Sequence, residues 1–305
     1  MSFSSETKRA LCREPLSRRC CAQAEAYGVL LYCNRFDAGE IRIVTESPDL
    51  ARRLPGLFWK AFHVEFDRLP PLDAPAGKRI FTVEAPDKLC AVCAVFGYDP
   101  AQSLAHHINY AALEEDHCRT AFFRGAFLAG GSVTDPAKRY HLELATSHYS
   151  VSREMSALLL DAGFSPKETT RKANYVTYFK QSEAIEDFLT ALGAPLAAMQ
   201  IMNAKAERSL LGSINRKVNC DAANLDKTVE AAQEQIEAIG RLEARGALEA
   251  LPDKLRQTAR LRVEYPELTL SQLAELCDPP VTKSCLNHRL RKLMELGARN
   301  KECGR

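Results

Sequence analysis

The chain lacks any long apolar run, and this absence excludes a membrane-spanning protein. No stretch of 18 apolar residues occurs among its 305 residues, whereas a transmembrane helix needs about 20. The opening sequence, MSFSSETKRALCREPL, also lacks the apolar core of a secretory signal peptide. We therefore expect a cytoplasmic protein that does not associate with membranes.

Cysteines are numerous, with eleven in the chain, but they lack the spacing of a disulfide framework or of a zinc site. Cys90 and Cys93 form a C-x-x-C pair that has no second pair or nearby histidine to complete a tetrahedral site. The adjacent Cys20 and Cys21 suit a metal ion even less. We expect reduced, buried thiols, with no metal site and no cofactor.

The chain also lacks a strong excess of either charge, because its net charge is only +2. The charges are unevenly spread, however. Residues 251–305 hold 11 Lys and Arg against 7 Asp and Glu, whereas residues 1–202 hold 23 against 24. A small basic module beside a near-neutral body favours nucleic acid binding through the C-terminal end.

The segment Leu251–Gly297 contains three short helical patterns separated by tight breaks. A supporting helix is predicted first, and Thr269 can cap the second helix. Asp278-Pro279-Pro280 then forces a sharp turn, because proline disfavours the helical conformation of the residue before it. Thr282 can cap the third helix. This order predicts a helix-turn-helix, whose last helix lies in the DNA major groove.

The third helix is predicted to bury Leu286, Leu290 and Leu293 and to turn a polar, basic face outward. Asn287 suits adenine and Arg291 or Lys283 suits guanine. The alternative is a solvated helix face that binds nothing. The predicted DNA-contacting residues of this module are Thr282, Lys283, Ser284, Asn287, His288, Arg289, Arg291 and Lys292, of which Arg289 and Lys292 suit phosphates.

An order of helix, strand, helix, hairpin and helix occurs twice in the first two hundred residues, at about 17–96 and about 116–193. The first copy has predicted helices at Ser17–Cys33, from Ser47 and at Asp87–Phe96, with strands at Glu40–Glu46, His63–Leu69 and Lys78–Glu84. The second has helices at Asp116–Ala129, Ser152–Ala162 and Ser182–Leu192, a strand at Tyr140–Leu144 and a hairpin turning at Ala173-Asn174. A repeat of such a small unit predicts two halves packed about a pseudo-twofold axis. The alternative is an ordinary α+β domain whose two halves match by chance.

Each copy begins with an apolar helix that has a glycine in its middle, Gly28 in the first and Gly125 in the second. A glycine inside a helix costs about 1 kcal/mol relative to alanine, so a packing reason is expected. Two helices that cross at their glycines can approach very closely. These segments resemble the paired helices of the LAGLIDADG homing endonucleases, which straddle DNA with saddle-shaped sheets.

The chain departs from that family at the ends of the two helices. In an active LAGLIDADG nuclease each helix ends in an acidic residue, because phosphodiester cleavage needs carboxylates to hold divalent ions. Aligned on the glycines, those positions are Cys33 and Gly130. Asp37 and Asp135 lie several residues beyond the helix ends. The comparison implies a domain that cleaves nothing, so no catalytic residue is predicted.

Residues 203–245 are predicted to form one or more long helices, interrupted at Asn215–Cys220. Two interpretations of the interruption stay open. One is a capped bend, with Asn219 or Asp221 as the cap, and the other is a pair of cations that contacts DNA phosphates. The two cations are Arg216 and Lys217.

Four segments resemble the bacterial WhiA family over nearly the whole chain. They are FRGAFLAGGSVTDP (Phe123–Pro136), YHLELAT (Tyr140–Thr146), NRKVNCDAANLDKTVEAA (Asn215–Ala232) and VTKSCLNHRLRKL (Val281–Leu293). The resemblance implies an α+β fold, with a degenerate, pseudo-twofold LAGLIDADG-like domain at residues 1–202. A helical linker at residues 203–250 and an all-α helix-turn-helix domain at residues 251–305 would follow.

The same resemblance implies a sequence-specific transcriptional regulator without nuclease activity, connected with sporulation, cell division and chromosome segregation. Its partner would be double-stranded promoter DNA at the nucleoid, and a regulatory protein could be a second partner. Two alternatives remain: a surviving endonuclease targeted by the helix-turn-helix, and a protein-interaction platform tethered to DNA.

Overall fold

The computed structural model of the protein describes residues 2–71, 77–99 and 106–298. It divides the chain into two compact units, residues 1–208 and residues 209–305. The division falls inside the long helix α8 (Pro195–Glu243), whereas the sequence placed boundaries at 202 and 250. None of the described helices is long and apolar enough to cross a membrane.

The first unit contains the internal repeat that the sequence predicted. After α1 (Phe3–Leu11), the first copy comprises α2 (Arg19–Tyr32), β1 (Arg35–Phe36), β2 (Ile41–Thr45), α3 (Pro48–Phe62), β3 (Arg79–Val83) and α4 (Pro86–Val95). The second copy comprises α5 (Asp116–Gly130), β4 (Gly131–Val133), β5 (Leu142–Thr146), α6 (Tyr149–Asp161), β6 (Lys167–Arg171), β7 (Asn174–Phe179) and α7 (Ser182–Leu192). The predicted α+β architecture is confirmed.

Each copy builds its own antiparallel sheet, in the order β1-β2-β3 for the first and β4-β5-β7-β6 for the second. In β5 the side chains of Leu142 and Leu144 are buried in the core, while Glu143 between them lies on the other face. This alternation is the period-2 pattern expected of a strand with one covered face. The β6–β7 hairpin turns at Lys172 and Ala173, one residue earlier than predicted.

The strand predicted at His63–Leu69 is wrong. Only an isolated bridge between Arg68 and Thr82 forms there. The segment is held instead by Asp67, whose carboxylate accepts hydrogen bonds from the backbone N–H groups of Glu84 (2.7 Å) and Ala85 (2.9 Å). Hydrogen bonds to the Asp67 side chain thus take the place of most of the strand-to-strand hydrogen bonds that the apolar pattern predicted.

Helices α2 and α5 cross at their central glycines, as predicted. A methyl group added at Gly28 would lie 2.2 Å from the carbonyl oxygen of Phe122. One added at Gly125 would lie 1.9 Å from the carbonyl oxygen of Glu25. The two backbones are therefore in direct contact, and glycine is the residue that permits it. This crossing forms the centre of the first unit.

The second unit contains the end of α8 together with α9 (Asp253–Glu264), α10 (Leu270–Glu275) and α11 (Lys283–Ala298). Both predicted caps are present. Thr269 and Gln272 form a capping box at α10, and Thr282 accepts a hydrogen bond from the backbone N–H of Cys285 at 3.2 Å. Buried side chains from all four helices form one core: Ile239, Leu242, Leu248, Leu255, Ala259, Leu273, Ala274, Cys277, Leu286, Leu290 and Leu293.

Helix α8 differs from its prediction in two ways. It begins at Pro195, because Ala197 and Ile201 pack in the core of the first unit. It also continues through Asn215–Cys220, so the predicted bend and cap are wrong. No proline or glycine occurs between Ser213 and Gly240, and polar residues cost a helix only tenths of a kcal/mol each. The predicted linker is therefore not a separate piece, since its last third belongs to the core of the second unit.

Candidate nucleic-acid interface

Helix α11 buries one face and presents the other to solvent. Leu286, Leu290 and Leu293 are each 1% exposed, as the sequence predicted. Because a helix turns by about 100° per residue, Ser284 and His288 lie opposite this buried row. The core thus fixes the orientation of α11 and leaves its polar face free for a ligand.

The predicted contact residues of α11 all lie outside the core. Arg289 is half-buried, and the other seven are exposed: Thr282, Lys283, Ser284, Asn287, His288, Arg291 and Lys292. Glu295 is the only acidic residue in this helix, and it lies in the last two turns. The N-terminal half of α11 therefore carries no negative side chain to repel phosphate.

The structure separates these residues into two groups. Asn287 and Arg291 line a cleft of about 680 Å³ between α11 and the end of α8, where Glu234 and Glu237 form part of the opposite wall. Lys283, Ser284 and His288 do not line this cleft. Helices α8 and α11 are fixed closely beside it, since a methyl group at Gly297 would lie 2.8 Å from the carbonyl oxygen of Ala238. Two residues chosen for base contacts thus lie opposite Glu234, Glu237 and Arg241 of α8, which sequence spacing could not show.

Arg216 and Lys217 lie on α8 and are exposed. At 1.5 Å per residue, Lys217 is roughly 26 Å along the helix axis from Glu234. The structure therefore does not bring these two cations together with the residues of α11.

The two positions at which a LAGLIDADG nuclease would carry its acids, Cys33 and Gly130, lie where α2 and α5 end. A cleft of about 280 Å³ opens there. No Asp or Glu occurs among the described residues that line it: Tyr32, Cys33, Asn34, Ile43, Val44, Leu50, Ala129, Ala145, Thr146, Ser147 and Asn174. Carboxylates are the ligands that Mg²⁺ requires in such a site, and this cleft offers none.

Gly130, at one of the two expected acid positions, has no room for a side chain. A methyl group there would lie 2.5 Å from the carbonyl oxygen of Ala145 and 2.7 Å from a ring carbon of Tyr32. Both neighbours belong to packed elements, and Tyr32 is only 5% exposed. The fold has closed over the position that would carry a metal ligand.

Cys33, at the other expected acid position, is held as a thiol. Its Sγ lies 3.1 Å from the carbonyl oxygens of both Leu30 and Arg35. Burial raises the pKa of this thiol to about 12, so it stays protonated at neutral pH, and sulfur is a soft donor in place of the oxygen ligands that Mg²⁺ takes.

The two acids beyond the helix ends serve local turns. The carboxylate of Asp37 accepts hydrogen bonds from the backbone N–H groups of Gly39 (2.9 Å) and Glu40 (3.0 Å). Asp135 accepts one from Ala137 at 2.9 Å. Neither lines the cleft between the helix ends.

One cluster was missed by the sequence reasoning. The ligand atoms of Cys20, Cys21, His117 and Cys118 all lie within 4.8 Å of one another. Because Cys20 and Cys21 are adjacent, the sequence predicted that they suit a metal ion even less than Cys90 and Cys93 do. The repeat itself holds the missing signal: each pair occupies the positions eight and seven residues before the central glycine of its helix.

Two family models match the chain, one for each part of this architecture. The WhiA LAGLIDADG-like domain matches residues 119–210, and the WhiA C-terminal HTH domain matches residues 214–297. A protein of Alkaliphilus metalliredigens described as probable cell division protein WhiA is 34% identical over 313 residues, covering 99% of both chains. The chain belongs to the WhiA family.

Further comparisons agree with this assignment. A WhiA protein of Ruminiclostridium cellulolyticum with the same description is 36% identical over 307 residues, covering 98% of both chains. The crystal structure of full-length WhiA from Thermotoga maritima is similar with a TM-score of 0.60 at 25% identity, covering 98% of this chain and 99% of that one. The family resemblance seen in the sequence is confirmed. The WhiA HTH model begins at residue 214, inside α8, where the structure also places part of the second unit.

Proposed function

We propose that this WhiA-family protein is a sequence-specific regulator of transcription that binds double-stranded promoter DNA and does not cleave it. The observation that carries the proposal is the exposed, acid-free N-terminal half of α11 on a well-packed helix-turn-helix core. The names of the relatives connect the family with cell division. We infer that the regulated promoters serve that process and that the protein is associated with the nucleoid.

The position of each residue on α11 suggests how DNA is contacted. The first two turns enter the major groove, so Lys283, Ser284 and His288 reach base edges. Arg289 and Lys292 lie on the flanks and suit phosphates. Asn287 and Arg291 border α8, and we infer that they contact DNA at the edge of the interface. Arg216 and Lys217, far along α8, would add phosphate contacts only if the DNA extends along that helix.

This mode is tested by comparing variants of α11 with a charge control on another helix. Lys283→Ala combined with His288→Ala should weaken binding to a promoter fragment identified by genome-wide mapping, because each base-pair contact contributes about 1–3 kcal/mol. Lys254→Ala on α9 also removes one exposed positive charge and should change affinity little. Fluorescence anisotropy measures both. Equal affinities for the double variant and the wild type would refute the assignment.

The double variant Asn287→Ala, Arg291→Ala tests whether the second group of residues on α11 reads bases or only contacts the edge of the DNA. If these residues read bases, the variant loses discrimination between the promoter and a scrambled fragment. If they contact only the edge of the DNA, affinity for both fragments falls together.

The acid-free cleft and the crowded position of Gly130 support the proposal that the protein does not cleave DNA. A supercoiled plasmid carrying a mapped site, incubated with Mg²⁺ or Mn²⁺, should stay uncut. A catalysed nick at that site, dependent on the metal ion, would show that the chain is an endonuclease.

The remaining possibility, that the first unit is a protein-binding platform, is tested with the full chain and its two units. A division after Arg208 respects the structure, because Ala197 and Ile201 belong to the core of the first unit. We expect residues 209–305 to retain most of the sequence specificity. Undiminished promoter binding by residues 1–208 alone would contradict the proposal.

A further inference from the structure

Four side chains that bind soft metal ions meet where α2 and α5 begin. Cys20 and Cys21 come from the first turn of α2, and His117 and Cys118 come from the first turn of α5. Their ligand atoms all lie within 4.8 Å of one another. We propose that these residues form a structural Zn²⁺ site that joins the two central helices of the WhiA LAGLIDADG-like domain.

The donor set and its distances fit one tetrahedral zinc ion. Three cysteines and one histidine are a common structural zinc site, with Zn–S of about 2.3 Å and Zn–N of about 2.0–2.1 Å. Tetrahedral angles then put sulfur and nitrogen roughly 3.6 Å apart. The Nδ1 atom of His117 lies 3.4 Å from Sγ of Cys21 and 3.2 Å from Sγ of Cys118. Only a small adjustment would admit the ion at the centre of the cluster.

The repeat explains why two separate pairs converge. Cys20 and His117 each lie eight residues before a central glycine, and Cys21 and Cys118 each lie seven residues before it. Because α2 and α5 cross at those glycines, equivalent positions on the two helices come together. Each half of the domain thus supplies two ligands. A cluster produced by related positions of both copies differs from an accidental grouping of surface thiols.

Burial raises the pKa of the Cys21 and Cys118 thiols while no ion is bound, and binding of the ion would itself deprotonate them. The ligands occupy the second and third positions of their helices, where the helix dipole and free N–H groups stabilise negative charge. Cys118 is buried, Cys21 and His117 are half-buried, and Cys20 is exposed. The site is therefore largely enclosed, yet an ion can enter from the side of Cys20.

This site is separate from the acid-free cleft at the other ends of α2 and α5. Cys21 and Cys33 lie at opposite ends of α2, and twelve residues of helix span roughly 18 Å. The proposed zinc ion has four protein ligands and no open position for a water or a substrate, which is the arrangement of structural sites. Its role is to hold the two helices together at the end opposite the acid-free cleft.

The first test is the metal content of the full-length protein, purified under reducing conditions without chelator. Elemental analysis should find about one zinc per chain, as expected of a single structural site. Cys118→Ser and Cys21→Ser should lose it. Cys90→Ser and Cys220→Ser remove exposed free thiols elsewhere and should keep it. Full zinc content in the Cys21→Ser, Cys118→Ser double variant would overturn the proposal.

A second measurement applies even if those variants fold poorly. Wild-type protein stripped with a chelator and titrated with Co²⁺ should develop a thiolate-to-cobalt charge-transfer band and the visible bands of tetrahedral cobalt, saturating at about one equivalent. His117→Cys should preserve metal binding with altered bands, since a fourth thiolate is also a zinc ligand. Absence of any such bands in the reduced wild-type protein would refute the site.

The competing chemistry is a disulfide within the cluster. Intact mass measurement of the alkylated protein, without added reductant, distinguishes the two outcomes. Zinc-bound cysteines become available for alkylation once the metal is removed, whereas a disulfide leaves two of them unmodified. A stable disulfide in protein isolated from the cytoplasm, together with no zinc, would overturn the proposal.

Discussion

The close approach between Gly125 and the backbone of α2 permits a stability prediction, with a control variant that should change stability in the opposite direction. In Gly125→Ala the added methyl group would lie 1.9 Å from the carbonyl oxygen of Glu25, whereas ordinary contact begins at 3.4 Å. Helices α2 and α5 would have to separate by about 1.5 Å. Rotation of a side chain cannot relieve this clash, because the atoms that the methyl group meets belong to the backbone of α2.

The magnitude follows from two opposing contributions. Alanine in place of glycine inside a helix stabilises by about 1 kcal/mol. Overpacking a core costs about 1–3 kcal/mol and more where the backbone must move. The backbone clash puts the cost at the top of that range or above it, so we expect Gly125→Ala to lower the free energy of unfolding of the first unit by at least ~2 kcal/mol. For a unit of this size that corresponds to at least roughly 4–8 °C in Tm.

Gly56→Ala is the matched control. Gly56 also lies inside a helix of the first unit, and an added methyl group meets nothing within 4 Å. This variant should gain up to ~1 kcal/mol. The chain contains a single tryptophan, Trp59 in α3, so its fluorescence during thermal or urea unfolding reports on the first unit. A stability of Gly125→Ala equal to or above that of the wild type would refute the close helix crossing.

Three further predictions address other parts of the molecule. Glu25→Ala should lower the free energy of unfolding by about 3–5 kcal/mol in the same fluorescence assay, because it leaves the buried guanidinium of Arg53 without its carboxylate partner. A loss below about 1 kcal/mol would show that the pair contributes no more than a surface ion pair. Thr282→Ala should destabilise α11 by about 1 kcal/mol through loss of the N-cap, whereas the control Thr282→Ser should be nearly neutral. Hydrogen exchange in the first turn of α11 measures both variants, and equal exchange rates in the two would count against the cap. Promoter affinity should fall with salt by about 0.9 logarithmic units per phosphate neutralised, and a salt-insensitive complex would argue against docking through a basic helix.

Features with a local cause could be predicted from the sequence. Ser47 caps α3 and Pro48 opens it, and Gly193 ends α7 in a left-handed conformation. Thr269 and Thr282 cap the helices assigned to them. In each case the residue and its partner lie within four positions of one another. The order of the helices in the two copies followed from such signals, whereas α1 and the short strands β1 and β4 were not predicted.

Features that depend on distant partners could not be predicted in this way. The segment before β3 has an apolar pattern typical of a strand, but Asp67 binds the backbone of residues 84 and 85 and replaces the ladder. Asn287 and Arg291 were placed on an open face, since the packing of α8 against α11 leaves no mark in the spacing of either helix. Cys21 and His117 are 96 residues apart, and only alignment of the two copies on their glycines brings them together.

The chain keeps the central glycines of a LAGLIDADG helix pair but lacks the acids at the helix ends, and the structure gives a physical reason for this difference. Gly28 and Gly125 are required by folding itself, because any side chain would drive the backbones of α2 and α5 apart. An acid at the helix ends is required only for catalysis and adds charge repulsion near its partner. At Gly130, where an acid would be expected, the space for a first side-chain carbon lies only 2.5 Å from the carbonyl oxygen of Ala145 in β5 and 2.7 Å from a ring carbon of Tyr32. The packing around Gly130 thus stabilises the crossing in its present form, and a Gly130→Asp substitution alone would clash with β5 and Tyr32 before it could supply a metal ligand.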